Sequence, residues 1–503
     1  MMLMRYKSTR NSNLRLEASQ VIAQGISREG GLFVPESLPN VAEKLVAWSQ
    51  LGYQELAQEI FSLFLTDFTP AEIESCVKKA YAPEKFGGEA VKLRPFTKNG
   101  NRCLLELWHG PTCAFKDMAL QILPHFLTIS LEKTGKGRKA VILTATSGDT
   151  GKAALAGFKD VPGTQVIVFY PQNGVSPMQK RQMATQAGGN VAVCAIDGNF
   201  DDAQAAVKRI FTDPAMNAAL EKGGMLFSSA NSINWGRLLP QIVYYFYAYF
   251  RLCKEGTLSL GEPMNVAVPT GNFGNILAAY YAKSMGLPIR KFLCASNANR
   301  VLTDFIRTGV YDRRREFFAT ISPSMDILVS SNLERLLYGL SGQDSGTLAG
   351  WMEELAQNGW YDVGEEVRQK VQAQFYGGFC DDAATARTIA ETWRTEGYLC
   401  DTHTAVALDV YRQYVEETGD GGTPTVIAST ASPYKFAADV LGALEPVSCV
   451  DEFQNIARLE ELTGTQAPAQ LAGLKDKPIR FQDMVAKDQA AAYVLAGLNL
   501  GGA

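Results

Sequence analysis

The chain has 503 residues, 46% of them hydrophobic and 20% charged, enough to bury more than one core and to build two or three domains. Its formal net charge of −4 argues against nucleic acid or an anionic membrane as a partner. Nine cysteines stand without a CxxC pair or a regular spacing, which argues against a disulfide framework and fits reduced thiols in a cytoplasmic protein.

The opening stretch Met1-Met2-Leu3-Met4-Arg5-Tyr6-Lys7 turns polar too soon for a secretory signal. Tyr6, Lys7, Ser8, Thr9 and Arg10 read as a polar arm toward a cleft. Gly30-Gly31-Leu32-Phe33-Val34-Pro35 is a turn feeding a short extended segment that Pro39 ends. From Ala42 to Leu65 the apolar residues Leu45, Val46, Trp48, Leu51, Tyr53, Leu56, Ile60, Phe61 and Phe64 recur at helical spacing. Thr69, Pro70 and Glu72 then make a capping box with proline in the first turn. These elements form an N-terminal domain at residues 1–95.

Leu104, Leu105, Leu107 and Trp108 lead into the turn His109-Gly110-Pro111-Thr112, and a helical pattern resumes with Met118, Ala119, Ile122 and Leu123. Lys116 therefore falls at a strand-to-helix junction facing a cleft. Desolvation there eases loss of the amine's proton and makes it a nucleophile toward carbonyls. A lone lysine is ordinarily a solvated surface residue, so its reading depends on the stretches that follow.

Ala140–Thr146, Gln165–Tyr170, Val191–Ile196, Asn265–Val268 and Thr425–Ala428 are short apolar runs alternating with helical stretches, the pattern of an α/β fold with mostly parallel strands. The hinge-like stretches Lys133–Lys139 and Gly256–Pro263 bracket a nested, mobile subdomain at 136–225. It sits within a large α/β domain of residues 96–135 and 226–503. The longest apolar run, Ile242 to Phe250, is shorter than the roughly 20 residues that span a bilayer, and its tyrosines fit a buried helix.

Four polar stretches remain. Ser147-Gly148-Asp149-Thr150-Gly151 puts two hydroxyls and backbone N–H groups at a helix start, which attracts anions. Val268-Pro269-Thr270-Gly271-Asn272-Phe273-Gly274-Asn275 leaves bare glycines through which amides can approach a phosphate. It is neither a Walker A loop nor a GxGxxG turn, and either stretch alone is an ordinary strand-to-helix turn. Ser228 to Arg237 gathers hydroxyls, amides and a guanidinium; Asn231, Ser232 and Arg237 make either a second anion pocket or a solvated loop. Ala428-Ser429-Thr430-Ala431-Ser432-Pro433 ends a strand with hydroxyls, where ligands sit in parallel sheets. No metal-ligand spacing is present.

Taken together, HGPTCAFKD (109–117), SGDTG (147–151), VSPMQKRQM (175–183), DGNFDDAQ (197–204), SANSINWGR (229–237), PTGNFGN (269–275) and STASPYKF (429–436) carry a resemblance. REGGLFVP (28–35) and DTHTAVA (401–407) extend it toward both ends. The chain resembles the bacterial and fungal threonine synthases, fold type II pyridoxal-phosphate enzymes of the tryptophan synthase β-like class. In that class parallel sheets are flanked by helices, here with an additional N-terminal domain. Ser432 and Tyr434 stand where the family more usually has histidine and alanine, and Cys113 replaces an aliphatic residue.

The resemblance implies that Lys116 holds pyridoxal phosphate as an internal Schiff base and acts as the catalytic base. Gly271, Asn272, Phe273, Gly274 and Asn275 would cradle the cofactor phosphate. Thr430 would hydrogen-bond the pyridine nitrogen, and Asp149 would lie near the 3-hydroxyl. Ser147, Thr150, Asn231, Ser232 and Arg237 would take the phosphate of O-phospho-L-homoserine. The implied reaction is a β,γ-replacement by water that gives L-threonine and phosphate, the last step of threonine biosynthesis, in a monomer or homodimer. A serine or threonine dehydratase or a phospholyase of the same fold type is the alternative enzyme, against which Arg237 speaks. A non-catalytic phosphometabolite-binding homologue is the other alternative, against which Lys116 and the cofactor loop speak. His109 reads equally as a turn residue or as a catalytic one.

Overall fold

The computed structural model describes residues 3–96, 101–134, 137–172, 174–198, 200–446 and 451–500. Residues 135–136 of the hinge-like stretch and Asn199 of the 197–204 motif lie outside the described residues. Two mostly parallel sheets dominate the architecture. The larger runs, in spatial order, through Phe375–Phe379, Ile289–Ser296, Met264–Pro269, Thr425–Ser429, Arg102–Glu106 and Lys92–Pro95, and only the last pair is antiparallel. The smaller runs through Met484–Ala486, Val191–Asp197, Thr164–Pro171, Lys139–Ala145 and Met225–Ser228, all parallel. Its central strands are buried on both faces, which is why they read as unbroken apolar runs.

The N-terminal segment differs from its expected role as an arm. Tyr6–Ser8 is the centre strand of a three-stranded antiparallel sheet with Asn11–Leu16 and Phe33–Pro35. Tyr6 is buried against Trp235, ring centroids 5.6 Å apart, and its hydroxyl donates to the Phe64 carbonyl at 2.9 Å. Thr9 and Arg10 both donate to the buried Glu334 carboxylate. These polar residues thus satisfy one buried carboxylate rather than facing a cleft. The stretch Ala42–Leu65 is also not one helix. It divides into a 3₁₀ turn at Ala42–Lys44 and helices at Leu45–Trp48 and Tyr53–Phe64, with Gly52 at the start of the last. Val46, which fits the apolar spacing, is 67% exposed. The capping box is present: Thr69 Oγ1 accepts the Glu72 amide at 3.2 Å, and Glu72 Oε2 accepts the Thr69 amide at 2.7 Å.

The small sheet also draws on residues beyond 136–225. After the helices Glu452–Thr463 and Ala469–Ala472, whose Ile456, Leu459 and Leu471 share a core with the large sheet's Leu104, Ala267 and Ile427, the chain crosses over. Met484–Ala486 joins the edge of Val191–Asp197, and the helix Ala490–Gly497 adds Ala490 and Val494 to the small sheet's own core. A three-residue edge strand with two exposed side chains has no periodicity by which to read it. Among the described residues no helix is long and apolar enough to cross a membrane, and no group of histidine, cysteine or acidic residues could hold a metal ion. Eight described cysteines are free. Ile242 to Phe250 lies within the buried helix Pro240–Lys254.

Candidate active site

In a parallel sheet the turns after neighbouring strands open at one edge, where ligands gather. Met264–Pro269, Thr425–Ser429 and Arg102–Glu106 are neighbours in the large sheet, and they lead into the 270–275 loop, Thr430 and the Lys116 turn. Lys139–Ala145 and Met225–Ser228 are neighbours in the small sheet and lead into Ser147–Gly151 and Ser229–Arg237.

The lysine turn is built by Asp117, whose carboxylate accepts both the Thr112 amide and the Thr112 hydroxyl at 2.8 Å. Gly110 is needed there, since a Cβ would stand 2.5 Å from Asp117 Oδ2. Cys113 turns the chain with φ +58. The turn is then stitched to the 430–432 segment: the Phe115 amide donates to the Thr430 carbonyl at 2.8 Å and the Ser432 amide to the Cys113 carbonyl at 3.0 Å. Thr430 is thereby held beside the lysine turn.

The Lys116 amine is buried, 3.3 Å from Ser324 Oγ and 3.7 Å from Asp149 Oδ2. Burial pulls its pKa down to about 8; Asp149 opposes that shift, while Arg237 and Lys435 add to it. Asp149 begins the helix Asp149–Gly157 and is itself surrounded by donors. Lys435 Nζ lies 2.6 Å from its Oδ1, Gln179 Nε2 donates to the same oxygen at 2.9 Å, and Ser324 Oγ donates to Oδ2 at 3.2 Å. Burial alone would raise this carboxyl, yet the ammonium groups of Lys435 and Lys116 hold it well below the usual carboxylate range.

Arg237 is buried. One of its nitrogens donates to the Ala230 carbonyl at 2.7 Å and another reaches Thr150 Oγ1 at 3.5 Å. Its Nε has no partner among the described residues, and burial lowers its pKa to about 10. Among the described residues no carboxylate lies within ion-pair distance of it. The N-terminal sheet braces this segment through Tyr6 on Trp235, and Asn234 Nδ2 donates to the Ile22 carbonyl at 3.0 Å. Ser147 and Thr150 are half-buried beside Asp149, and Asn231 and Ser232 are half-buried ahead of Arg237. Ser232 belongs equally to the other loop: its Oγ accepts Asn332 Nδ2 at 3.0 Å, and its Cβ packs on Gly274.

The 270–275 loop runs into the helix Gly274–Ser284 through Phe273 at φ +62. The Phe273 ring is buried against Phe375, so only its backbone can serve a ligand. Asn272 is exposed. Asn275 Oδ1 accepts the hydroxyls of Tyr244 and Tyr245, while its buried Nδ2 has no partner among the described residues. Gly271 lies under the turn Pro323–Met325, and a Cβ on it would stand 2.7 Å from the Ser324 carbonyl. These residues fit pyridoxal phosphate. The lysine amine is buried and desolvated, and among the described residues Arg237 Nε and Asn275 Nδ2 are buried nitrogens without a protein acceptor.

Four residues at this site escape a reading of single motifs. Gln179, His403 and Lys435 lie in stretches that carry the resemblance, but nothing local announces that they converge. Ser324 has no sequence signal at all. His403 Nε2 accepts the Ser324 amide at 3.1 Å, and Asp401 Oδ1 lies 3.1 Å from its Nδ1. His109 is instead held by Glu106 at 2.8 Å and stacked on Trp108.

Sequence comparison agrees with this geometry. Residues 5–81 match the family described as threonine synthase N terminus, 90–366 the pyridoxal-phosphate dependent enzymes, and 404–494 the threonine synthase C-terminal region. The threonine synthase-like 1 protein of Macaca fascicularis is 41% identical over 441 residues, covering 85% of this chain; the chain spans 58% of that protein's length. The threonine synthase of Pseudomonas aeruginosa is 38% identical over 492 residues, 95% of this chain and 100% of that protein. The crystal structure of pyridoxal-phosphate-bound threonine synthase from Brucella melitensis superposes with a TM-score of 0.85 at 35% identity, covering 99% of this chain and 100% of that one. The chain belongs to the threonine synthase family of pyridoxal-phosphate-dependent enzymes.

Proposed function

We propose that the chain is a threonine synthase, converting O-phospho-L-homoserine and water to L-threonine and phosphate with pyridoxal phosphate on Lys116. The observation that carries this reading is Arg237, a buried guanidinium with no carboxylate partner among the described residues, beside Thr150 and electrostatically felt at Lys116. A buried cation of that kind is stabilised by an anionic ligand with matching acceptors. A cofactor phosphate held elsewhere leaves it for a phosphate on the substrate.

When bound, the cofactor supplies the electron sink for negative charge developing at the substrate carbons. The 271–275 loop would hold the cofactor phosphate through the amides of Gly271, Asn272, Phe273, Gly274 and Asn275 and through Asn275 Nδ2, which has no partner among the described residues. Thr430 would offer a neutral hydroxyl to the ring nitrogen, and Asp149 would face the ring hydroxyl. Ser147, Thr150, Asn231, Ser232 and Arg237 orient the substrate phosphate as leaving group. Lys116, with an amine poised near pH 8, would hold the cofactor and, as a free amine with substrate bound, would move protons at the α- and β-carbons. Phosphate leaves the γ-carbon, hydroxide from water adds at the β-carbon, and the remaining protons are returned to the γ- and α-carbons. Ser324 of the turn Pro323–Met325 stands 3.3 Å from the Lys116 amine, which is buried away from bulk water.

The test is stoichiometric. The purified protein loaded with pyridoxal phosphate should release threonine and phosphate one to one from O-phospho-L-homoserine, and should leave L-serine and L-threonine undeaminated. Ammonia and a keto acid as the main products would make it a dehydratase or phospholyase. Binding without turnover would leave only the non-catalytic reading.

A further inference from the structure

Asp149 stands between two buried lysines, and the two are not equivalent. Lys435, on the turn Pro433–Phe436, is fully buried and lies 2.6 Å from Asp149 Oδ1; its other partner is the Thr112 carbonyl at 3.0 Å. Lys116 lies 3.7 Å from Oδ2. Gln179 also donates to Oδ1, so that oxygen is saturated, while among the described residues Oδ2 receives a hydrogen bond only from the Ser324 hydroxyl. We propose that Lys435 is a positioning residue that engages Asp149 as its counter-ion, so that Lys116 is not trapped in a tight ion pair and stays able to lose its proton.

The physical argument is one of competition. An ammonium beside a buried carboxylate is strongly favoured over a neutral amine. A lysine locked in such a pair is neither a nucleophile nor a base. Here the carboxylate is needed at the cleft, and its charge has to be met by something other than Lys116. Lys435 meets it from behind, through the oxygen facing away from Lys116. The charged groups that act on Lys116 are Asp149, Arg237 and Lys435. Behind Lys435 stand Asp117 and Lys152, a further pair of opposite sign. His403 accepts a hydrogen bond through Nε2 and so meets Ser324 as an acceptor. This inference rests on the reading of Lys116 as the cofactor lysine and adds what keeps that lysine reactive.

The test uses the full-length protein stripped of cofactor. The rate at which it takes up pyridoxal phosphate, followed as a band near about 410 nm, is measured against pH. The wild type should show a midpoint near 8, where the Lys116 amine becomes neutral. In Lys435→Met and Lys435→Gln the midpoint should rise by about 1 unit or more, the size expected from an uncompensated opposite charge a few ångströms away. At neutral pH that is a roughly tenfold slower uptake. A purely structural role would lower occupancy equally at every pH and leave the midpoint unmoved, which overturns the proposal. Should the single variants fail to fold, the pair Lys435→Met with Asp149→Asn removes both charges. Its midpoint should fall at or below the wild-type value, and a rise there also overturns the proposal. Lys116→Ala separates this from the underlying reading. If that variant still forms the band, Lys116 is not the cofactor lysine. If it is colourless while the midpoint of Lys435→Met stays put, only the role of Lys435 fails.

Discussion

At the scale of single residues the site consists of charges held out of water by partners chosen from distant parts of the chain. Lys116→Ala should yield a folded, colourless protein without turnover, because in the proposed function its amine captures the cofactor aldehyde and moves the protons. A near-normal rate in that variant would remove Lys116 from the mechanism. Arg237→Ala should keep the cofactor band and lose affinity for the phosphorylated substrate. A hydrogen bond to a charged group contributes about 1.5–3 kcal/mol, which is roughly ten- to a hundredfold in binding. Isothermal titration with phosphohomoserine and with pyridoxal phosphate separates the two effects. Equal weakening of both would make Arg237 a support of the fold, a role its bond to the Ala230 carbonyl also allows. Thr430→Asp should alter the cofactor's spectrum and increase side products more than it weakens binding, since a carboxylate favours a protonated ring nitrogen. An unchanged spectrum and product mixture would count against placing Thr430 at that nitrogen.

At the scale of elements, the loops that carry the site are shaped by close contacts with neighbouring turns. In Gly271→Ala the new methyl would press on the Ser324 carbonyl at 2.7 Å. Overpacking of this kind costs about 1–3 kcal/mol, and it should appear as weaker cofactor retention on dialysis, with the melting temperature of the cofactor-free protein changed less. What could be read from sequence follows the same division. Buried parallel strands declare themselves as apolar runs, so Ala140–Thr146 corresponds to the observed Lys139–Ala145 and Gln165–Tyr170 to Thr164–Pro171. Phe375–Phe379 does not declare itself, because Gly377 and Gly378 interrupt its apolar character where Thr303 and Val410 approach the backbone. Helical spacing across Ala42–Leu65 is blind to the break before Tyr53, since a turn of suitable length returns the apolar residues to phase. The strand-to-helix junctions at Lys116, Asp149 and Gly274 are legible from local chemistry. The convergence of Gln179, Ser324 and Lys435 on the Asp149 carboxylate, with His403 holding the Ser324 amide, is not, because it depends on how two sheets meet.

At the scale of the whole molecule the small sheet depends on residues far from its other strands. Met484–Ala486 covers the Val191–Asp197 edge, and Ala490, Val494 and Leu498 fill the core beneath it. Arg181 and Arg480 bind carbonyls across the same junction. Removing residues 484–500 should therefore loosen the small sheet while sparing the large one. Losing even one or two buried aliphatic side chains costs about 1.5–3 kcal/mol each. Amide exchange across Val191–Asp197 should accelerate by roughly a hundredfold, with Thr425–Ser429 still protected; equal acceleration in both would mean that the sheets open as one unit. The same arrangement bears on how the protein is made. The small sheet is begun before most of the large one and completed after it, since the ribosome has finished Thr425–Ser429 before it reaches Met484. At ~5–20 residues per second, the roughly 290 residues between Asp197 and Met484 take on the order of 15–60 s to synthesise. Throughout that interval an apolar strand edge waits for a partner not yet translated, and a nascent chain in that condition is a natural client for chaperones that shield unpaired strands.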